Sequence, residues 1–285
     1  MPKTILVTGS TDGIGLATAE ILLSQGHRIL LHGRNPDKLA AAENALSALP
    51  RSGGVESYVA DLSRLGAVEA LAAAVTERHA RLDVLINNAG VLRAPETLTP
   101  DGLDVRFAVN TIAPYLLTQR LLPLLGGSGR VINLSSAAQS PVQLEALAGG
   151  VRLADMAAYA QSKLALTMWS RRLAWELKAG GPVIIAVNPG SMLGSKMVKE
   201  GFGVDGGDIR IGADILIRAA LDDDFASATG QYFDNDSGRF AEPHPDALDP
   251  RKSEALVQAI EALLLRVQRK SSAGGAFSGP LGARG

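Results

Sequence analysis

The sequence contains no cysteine among its 285 residues, so disulfide bonds, cysteine-ligated zinc and a thiol nucleophile are all excluded. The absence of cysteine is typical of a reducing compartment, and we predict a cytoplasmic protein. Histidine is also scarce: its four occurrences lie far apart, with no pair at the spacing of helical metal ligands. We therefore predict that the protein has no dedicated metal site.

Charge and hydropathy exclude further classes of partner. The formal net charge of -1 provides no electrostatic attraction for nucleic acid or for an anionic membrane. No apolar run is long enough to span a bilayer, and the first residues lead directly into a strand-like run without a signal-peptide pattern. Nucleic acids and membranes are therefore not expected as partners.

Short apolar runs alternate with helical patterns along most of the chain, which predicts an α/β protein with a mostly parallel sheet. The predicted strands cover residues 4–8, 27–32, 55–60, 82–86, 130–134 and 182–187, and a seventh begins at Tyr232. We expect a single domain with helices on both faces of the sheet. Residues 1–240 form its catalytic part, 241–270 hold a loop and an amphipathic helix, and 271–285 are expected to be disordered.

A glycine-rich turn separates the first strand from the first helix. It reads Gly9-Ser10-Thr11-Asp12-Gly13-Ile14-Gly15, and apolar residues recur at helical spacing from Ile14 onward. Glycines allow a pyrophosphate to approach the backbone, and the following helix presents free N–H groups and the positive end of its dipole. This order of elements predicts a dinucleotide site, although a glycine-rich turn can also be only a turn. Asp12 is expected to cap the helix.

The residues that follow the second and third strands bear on the choice of cofactor. An acidic residue after the second strand would bind the ribose hydroxyl of NAD, whereas an arginine accommodates the 2′-phosphate of NADP. The sequence has Gly33-Arg34-Asn35, which favours NADP(H), with NAD(H) as the alternative. Arg34 could instead be a solvated loop charge. Asp61 and Leu62 end the third strand, where Asp61 could accept from an adenine amino group or cap the next helix.

Tyr159 and Lys163 lie four residues apart at the start of a helical pattern, so they share one face. A free phenol has a pKa of about 10 and is a poor base at neutral pH. A nearby ammonium group favours the phenolate, so we expect Lys163 to lower the pKa of Tyr159 enough for proton transfer. A tyrosine and a lysine at this spacing are also common on solvated helix faces, so the pair needs support from other stretches.

Polar and small residues follow the later strands, at the edge where ligands bind in open α/β sheets. Asn88-Ala89-Gly90 could form the floor of a cofactor ribose site, or Asn88 could only satisfy backbone groups. Ser135-Ser136 ends the fifth strand, where a hydroxyl could donate to a substrate oxygen. Asn110 lies near the apolar side of a helix predicted over 100–125, where its amide needs a partner.

These stretches, in this order, resemble the short-chain dehydrogenase/reductase family in its compact form. The resemblance depends on Thr8-Gly9-x-x-x-Gly13-Ile14-Gly15, Asn87-Asn88-Ala89-Gly90, Asn110, Ser136, Tyr159-x-x-x-Lys163 and Asn188-Pro189-Gly190. It covers about residues 3–235 and implies a doubly wound Rossmann fold with a six- or seven-stranded sheet. The apolar insertion 137–158 is similar to that of retinol-dehydrogenase-like and protochlorophyllide-reductase-like members.

The resemblance implies a role for each residue. Tyr159 would be the general acid and base, and Lys163 would depress its pKa and bind the nicotinamide ribose. Ser136 would polarise the substrate oxygen, with Ser135 as the alternative, and Asn110 would hold a water molecule in the proton path. The residues implied in cofactor binding are Gly9, Ser10, Thr11, Gly13, Ile14, Gly15, Arg34, Asn35, Asp61, Leu62, Asn88, Ala89, Gly90, Tyr159, Lys163, Pro189, Gly190 and Ser195. Ser195 would replace a threonine that the family often has after Gly190.

We therefore predict an NADP(H)-dependent oxidoreductase that transfers hydride between nicotinamide and a carbonyl or alcohol carbon. The glycine-rich segment 191–212 contains Met192, Met197 and Phe202 and is interpreted as a mobile substrate lid. Together with the apolar insertion it indicates an apolar small-molecule substrate, unless both segments only pack on the core or on another subunit. The alternatives are an NAD-dependent dehydrogenase of the same family and a non-catalytic NADP(H)-binding regulatory protein.

The last part of the chain bears on oligomerisation. Residues 253–267 show apolar side chains at helical spacing, and this helix could dock on the core, cover the pocket or pair with another chain. Members of the family commonly pair through the helices that hold Asn110 and Tyr159. The protein could thus form a homo-oligomer, unless the insertion or the tail blocks that face.

Overall fold

An eight-stranded sheet organises the residues that the computed structural model describes, which are 1–49, 53–177 and 180–275. The strands are β1 (Thr4–Val7), β2 (Arg28–Gly33), β3 (Val55–Val59), β4 (Val84–Asn87), β5 (Arg130–Leu134), β6 (Val183–Asn188), β7 (Tyr232–Asp234) and β8 (Arg239–Ala241). Their spatial order is β3-β2-β1-β4-β5-β6-β7-β8. All neighbours pair in parallel except β7 and β8. The predicted doubly wound, mostly parallel α/β fold is confirmed.

The strand order reverses at the centre of the sheet. β1 pairs with β2 on one side and with β4 on the other, so the chain winds outward first in one direction and then in the other. Ile5, Leu6 and Val7 are fully buried because both faces of this central strand are covered by helices. A crevice opens at such a reversal, beside the carboxyl ends of the strands, and the polar strand ends meet there.

Helices cover both faces. They are α1 (Gly13–Ser24), α2 (Pro36–Ser47), α3 (Leu65–Arg78), α4 (Val105–Phe107), α5 (Ala113–Leu125), α6 (Leu144–Leu147), α7 (Asp155–Leu177), α8 (Lys196–Phe202), α9 (Ile209–Leu221), α10 (Pro245–Leu248) and α11 (Pro250–Gly275). Apolar side chains of α1, α2 and α9 pack on one face. Those of α3, α5, α7 and α11 pack on the other, so α7 carries Tyr159 and Lys163 against the sheet.

The edge of the sheet differs from the expectation. The stretch 240–250 was predicted to be a loop, but Arg239–Ala241 forms β8 antiparallel to β7 and Pro245–Leu248 forms α10. Phe240 packs against Phe225 and Phe233, with each pair of ring centroids 5.1 Å apart. A three-residue strand has no periodicity of its own, and its pairing with β7 and these ring contacts stabilise it.

The helix predicted over 100–125 is also irregular. It begins at Val105, and Ala108–Ile112 forms a π-helical turn before α5. A π-helical turn contains one residue more than an α-helical turn, and such turns occur frequently at functional sites. Asn110 lies within this turn and is 1% exposed.

The C-terminal helix docks on the core. Leu256, Ile260 and Leu263 of α11 are buried in the same apolar cluster as α7, and Glu261 accepts a hydrogen bond from the Tyr115 hydroxyl at 3.0 Å. It therefore covers part of the helix face on which pairing with a second chain was considered. α11 continues to Gly275, so the first residues of the predicted disordered tail are helical, and 276–285 lie outside the described ranges. Within those ranges no helix combines the length and the apolarity needed to cross a bilayer.

A buried arginine links Asp104, just before α4, to Asp155 at the start of α7. Arg106 is 1% exposed, and its guanidinium binds both carboxylate oxygens of Asp104 through Nε and Nη2, at 2.8 and 2.6 Å. Its Nη1 donates to Asp155 at 2.7 Å. Asp155 begins α7 and lies one helical turn before Tyr159, so this ion pair fixes the start of the helix that holds the candidate acid.

Replacement of Arg106 by methionine should destabilise the protein by about 3 kcal/mol, because it leaves Asp104 without its buried partner. The matched control is Arg172→Met, which breaks an exposed pair with Glu176 on α7 and should change stability by less than about 0.5 kcal/mol. Urea unfolding measures both changes. Equal losses for the two variants would contradict a structural role for the buried pair.

Candidate active site

A cavity of about 460 Å³ runs along the carboxyl ends of the parallel strands. It is lined by most of the predicted site residues: Gly9, Thr11, Gly13, Ile14, Arg34, Asn35, Asp61, Leu62, Asn88, Ala89, Gly90, Tyr159, Lys163, Pro189 and Ser195. Ser10 does not line it, contrary to the prediction for cofactor binding. Its side chain is fully buried, and the hydroxyl accepts a hydrogen bond from the His32 N–H at 3.0 Å.

The glycine turn forms a close-packed cradle at the start of α1. A Cβ atom on Gly15 would lie 2.4 Å from both the Asn88 Nδ2 and the Gly9 carbonyl oxygen, so no side chain fits there. Asn88 Nδ2 donates to the carbonyls of Thr8 and Gly9 at 2.9 and 3.0 Å, which is the backbone-satisfying role considered for it. Asp12 caps α1, as expected, by accepting from the Gly13 N–H at 2.7 Å. This cradle fits a pyrophosphate at a helix N-terminus.

Two cations that follow β2 in sequence border the cavity. Arg34 and Lys38 are exposed, line the cavity, and have no ion-pair partner among the residues that the structure describes. Asn35 instead caps α2, since its Oδ1 accepts from the Lys38 N–H at 2.9 Å. Asp61 accepts from the Ser63 N–H at 3.0 Å and does not cap α3. The sequence analysis did not identify Lys38, which lies four residues after Arg34 on the first turn of α2.

Asn110 uses its amide to hold the loop after β4. Its Oδ1 accepts from the Val91 N–H at 2.8 Å, while its Nδ2 donates to the Val91 carbonyl at 2.9 Å and to Ser162 Oγ at 3.0 Å. Both ends of the amide are therefore engaged with protein atoms. The side chain links the loop after β4 to α7. Since both ends of the amide are bound to protein atoms, the predicted water molecule would not meet a free amide group there.

The two serines at the end of β5 have different surroundings. The Ser135 side chain is 3% exposed, and its hydroxyl lies 2.7 Å from Thr167 Oγ1. Ser136 is partly exposed, and its hydroxyl accepts from the Ala138 N–H at 3.1 Å and acts on the Tyr159 phenol, whose pKa it lowers against the effect of burial. Ser136 rather than Ser135 therefore has its hydroxyl beside the candidate acid.

Tyr159 and Lys163 line the same wall of the cavity. Lys163 Nζ lies 5.7 Å from the centroid of the Tyr159 ring and donates to the Leu134 carbonyl at 2.7 Å. The ammonium group is also close to Gly90, because a Cβ atom on that glycine would lie 3.5 Å from both Lys163 Nζ and Asn110 Oδ1. Because residue 90 has no side chain, the space between the Lys163 ammonium and this part of the loop after β4 stays open.

The pKa of Tyr159 shifts in the direction opposite to the prediction. Burial raises the pKa of the phenol, and the hydrogen bond from Ser136 only partly offsets this. Lys163 does not reverse the shift, because its ammonium is directed at the Leu134 carbonyl and burial lowers its own pKa to about 8. The protein groups by themselves therefore hold Tyr159 as a neutral phenol.

The loop after β6 and α8 form the remaining wall. Pro189 lines the cavity, whereas Gly190 does not. Ser195 caps α8 by accepting from the Val198 N–H at 3.3 Å, and its Cβ lies 4.0 Å from the point that a Cβ on Gly13 would occupy. This places Ser195 in the cavity wall opposite the glycine cradle.

Comparison with known proteins agrees with this geometry. A family model for short chain dehydrogenases matches residues 3–202, which hold the cradle, the two serines, Tyr159 and Lys163. The chain belongs to the short-chain dehydrogenase family. The human protein named retinol dehydrogenase 13 is 36% identical over 200 residues, which cover 66% of this chain and 58% of that protein. The chain thus spans less than two thirds of the length of that relative.

Two solved structures superpose on most of the chain. RhlG of Pseudomonas aeruginosa, solved as an active-site complex with NADP, is 30% identical with a TM-score of 0.67, covering 83% of this chain and 95% of that one. A short chain dehydrogenase of Burkholderia cenocepacia, solved in complex with NADP, is 27% identical with a TM-score of 0.66, covering 83% and 97%.

His32 is a cavity residue that the sequence analysis missed. It is 2% exposed beneath the glycine turn, and its Nδ1 accepts from the Gly9 N–H at 3.1 Å. Its Nε2 lies 3.1 Å from the Ala60 carbonyl, so a neutral ring protonated on Nε2 satisfies both contacts. Burial lowers the pKa of His32 to about 4, which keeps the ring neutral. The ring thereby connects the cradle to the end of β3.

Acid should destabilise the protein through His32. The folded pKa of about 4 lies below the ordinary value of 6.5, so between these values only the unfolded chain takes up the proton. The free energy of unfolding should fall by up to about 3 kcal/mol as the pH decreases through this window. The control is His32→Asn, whose Oδ1 can accept from Gly9 but does not titrate. A difference between the two proteins that stays constant with pH would contradict the assignment.

Proposed function

We propose that this short-chain dehydrogenase is an NADP(H)-dependent oxidoreductase acting on the carbonyl or alcohol carbon of an apolar small molecule. The observation that carries the proposal is that Tyr159 and Lys163 line the same cavity, with the Lys163 Nζ 5.7 Å from the centroid of the Tyr159 ring and the Ser136 hydroxyl near enough to lower the pKa of that phenol against the effect of burial. A proton donor, a polarising hydroxyl and a cation lie together where the strand ends meet. This set suits the transfer of one proton to or from a substrate oxygen.

The chain's own residues would manage the proton, while the bound nicotinamide would donate or accept the hydride. In carbonyl reduction, the Tyr159 hydroxyl gives its proton to the substrate oxygen as negative charge develops there. The Ser136 hydroxyl donates to the same oxygen and orients it. The raised pKa of Tyr159 keeps the phenol protonated for this direction, and the nearby Lys163 ammonium stabilises the phenolate that remains.

The choice of NADP(H) over NAD(H) depends on the cations after β2. Arg34 and Lys38 line the cavity with no ion-pair partner among the described residues, and the position directly after β2 holds Arg34 rather than an acidic side chain that could bind a ribose hydroxyl. Two cations at one site favour a dianionic phosphate over a neutral hydroxyl. The NADP-bound neighbours make the same choice plausible for this chain.

An apolar substrate is supported by Met197 in the cavity wall and by exposed apolar side chains of the segment 191–212 and the insertion. Met197 of α8 lines the cavity, and its Cε lies 3.6 Å from the point that a Cβ on Gly90 would occupy. Met192 and Phe202 in the same segment are 42% and 48% exposed, and Met156 of the insertion is 44% exposed. Exposed apolar side chains of this size favour contact with an apolar ligand.

Removal of the two cations should change the cofactor preference. In the double variant Arg34→Ala, Lys38→Ala we expect the KM for NADPH to rise about 100-fold, since each charged hydrogen bond to phosphate contributes about 1.4 kcal/mol or more. The KM for NADH and kcat should change less than about threefold. The control is Arg251→Ala, which changes an exposed residue of α11. Unchanged NADPH preference in the double variant would favour the NAD alternative.

Substitutions of Tyr159, Ser136 and Ser135 should show which of the two serines acts in catalysis. With a panel of apolar aldehydes, ketones and alcohols, followed by NADPH absorbance, Tyr159→Phe should lower kcat at least about 1000-fold and Ser136→Ala about 100-fold. Ser135→Ala should lower kcat less than about tenfold, because its hydroxyl is buried against Thr167. The dissociation constant of NADPH should stay within about threefold throughout. Full activity of Tyr159→Phe would refute the proposed acid.

A further inference from the structure

The turn between β7 and β8, residues 235–238, lies against the loop that follows β6. This loop, residues 188–191, includes Pro189 in the cavity wall. The turn lies beyond the part of the chain that the family model matches, which ends at residue 202.

Asp236 binds the loop through both of its carboxylate oxygens. Its Oδ1 accepts from the Ser191 N–H at 2.7 Å, and its Oδ2 accepts from the Ser191 hydroxyl at 2.6 Å. Asn188 Nδ2 also donates to Oδ2, at 2.9 Å. Burial alone would raise the pKa of Asp236, but the hydrogen bonds from Ser191 and Asn188 outweigh it and lower the pKa. The carboxylate is thus ionised at neutral pH, when these bonds are strongest.

Neighbouring residues of the hairpin hold the rest of the loop. Asn235 accompanies Asp236: its N–H donates to the Asn188 carbonyl at 3.1 Å, and its Nδ2 donates to the Pro189 carbonyl at 2.9 Å. Asp234, at the end of β7, accepts from Asn188 Nδ2 at 2.8 Å. Three consecutive residues of the hairpin therefore bind the loop on both sides of Pro189.

The backbone just after the anchored serine is strained. Met192 has a φ of 55°, the only left-handed residue other than glycine within the described ranges. A β-carbon makes this conformation costly, so it persists only when contacts on both sides impose it. Ser191 is held by Asp236 on one side, and the Met192 carbonyl accepts from the Gly207 N–H at 2.8 Å on the other.

We propose that Asp236 is a positioning residue that fixes the loop 188–191 against the nicotinamide end of the cavity. The inference rests on the proposed function for the identity of the ligand, but the anchoring itself does not. Asp236 is exposed on its outer side and does not line the cavity, so it acts through Ser191 and Pro189. Loss of the carboxylate would release the loop and let the nicotinamide ring vary in orientation, while the cradle and the cations still hold the other half of the cofactor.

The anchoring is tested without any cofactor by hydrogen–deuterium exchange of the segment 189–195. We expect Asp236→Ala to increase the exchange rate of this segment at least about tenfold. Asp236→Asn should give an intermediate rate. Its amide oxygen can still accept from the Ser191 N–H, but its amide nitrogen cannot accept the bond that Asn188 Nδ2 donates. The matched control is Ser237→Ala, which removes a bond to the Asp234 carbonyl within the same turn and should leave the segment unchanged. Equal exchange in wild type and Asp236→Ala would overturn the proposal.

The effect on the ligand is tested with NADPH itself. Asp236→Ala should alter the fluorescence of bound NADPH, which reports the surroundings of the nicotinamide ring, while its dissociation constant rises less than about threefold. The rate of hydride transfer, with a carbonyl substrate found in the panel, should fall about tenfold or more. Faster exchange with unchanged fluorescence and unchanged hydride transfer would overturn the positioning role. Absence of NADPH binding by the wild type would refute the proposed function, and the exchange experiment would still decide the anchor.

Discussion

A buried ammonium group is the constraint on which the site depends. Lys163 is 4% exposed, and its Nζ donates to the Leu134 carbonyl at the end of β5. Burial lowers its pKa from 10.5 to about 8, a cost of about 3 kcal/mol for the charged form. The bond to Leu134 also docks α7 on the sheet with Tyr159 towards the crevice.

Asparagine amides then hold the loops that surround this charge. Asn88 binds the glycine turn, Asn110 binds both backbone groups of Val91, and Asn188 binds the β7–β8 hairpin. A loop at the end of a parallel strand loses its neighbours in the sheet and leaves backbone groups without partners. An amide can donate and accept at once, so one side chain replaces the missing strand. These amide bonds tie the loops around the cavity to the rest of the fold.

Several parts of the fold follow from local pattern alone. Apolar runs bounded by turns placed β1 to β6 within two residues at each end, because strands buried on both faces must be apolar throughout. The spacing of Tyr159 and Lys163 placed them on one helix face, and Asp12 before Gly13 predicted the cap of α1. Local pattern failed for β8, whose three residues depend on contacts of Phe240 with Phe225 and Phe233.

By itself, the sequence determined the α/β architecture, the family and the set of residues that meet at the strand ends, because periodicity and chain order carry that information. Only the tertiary structure decided which polar atoms are free and which are already bound. It showed that the Ser135 hydroxyl is buried against Thr167, added Lys38 to the residues that line the cavity, and reversed the expected pKa shift of Tyr159. The physical reason is that burial and hydrogen-bond partners come from segments distant in sequence, which no local pattern records.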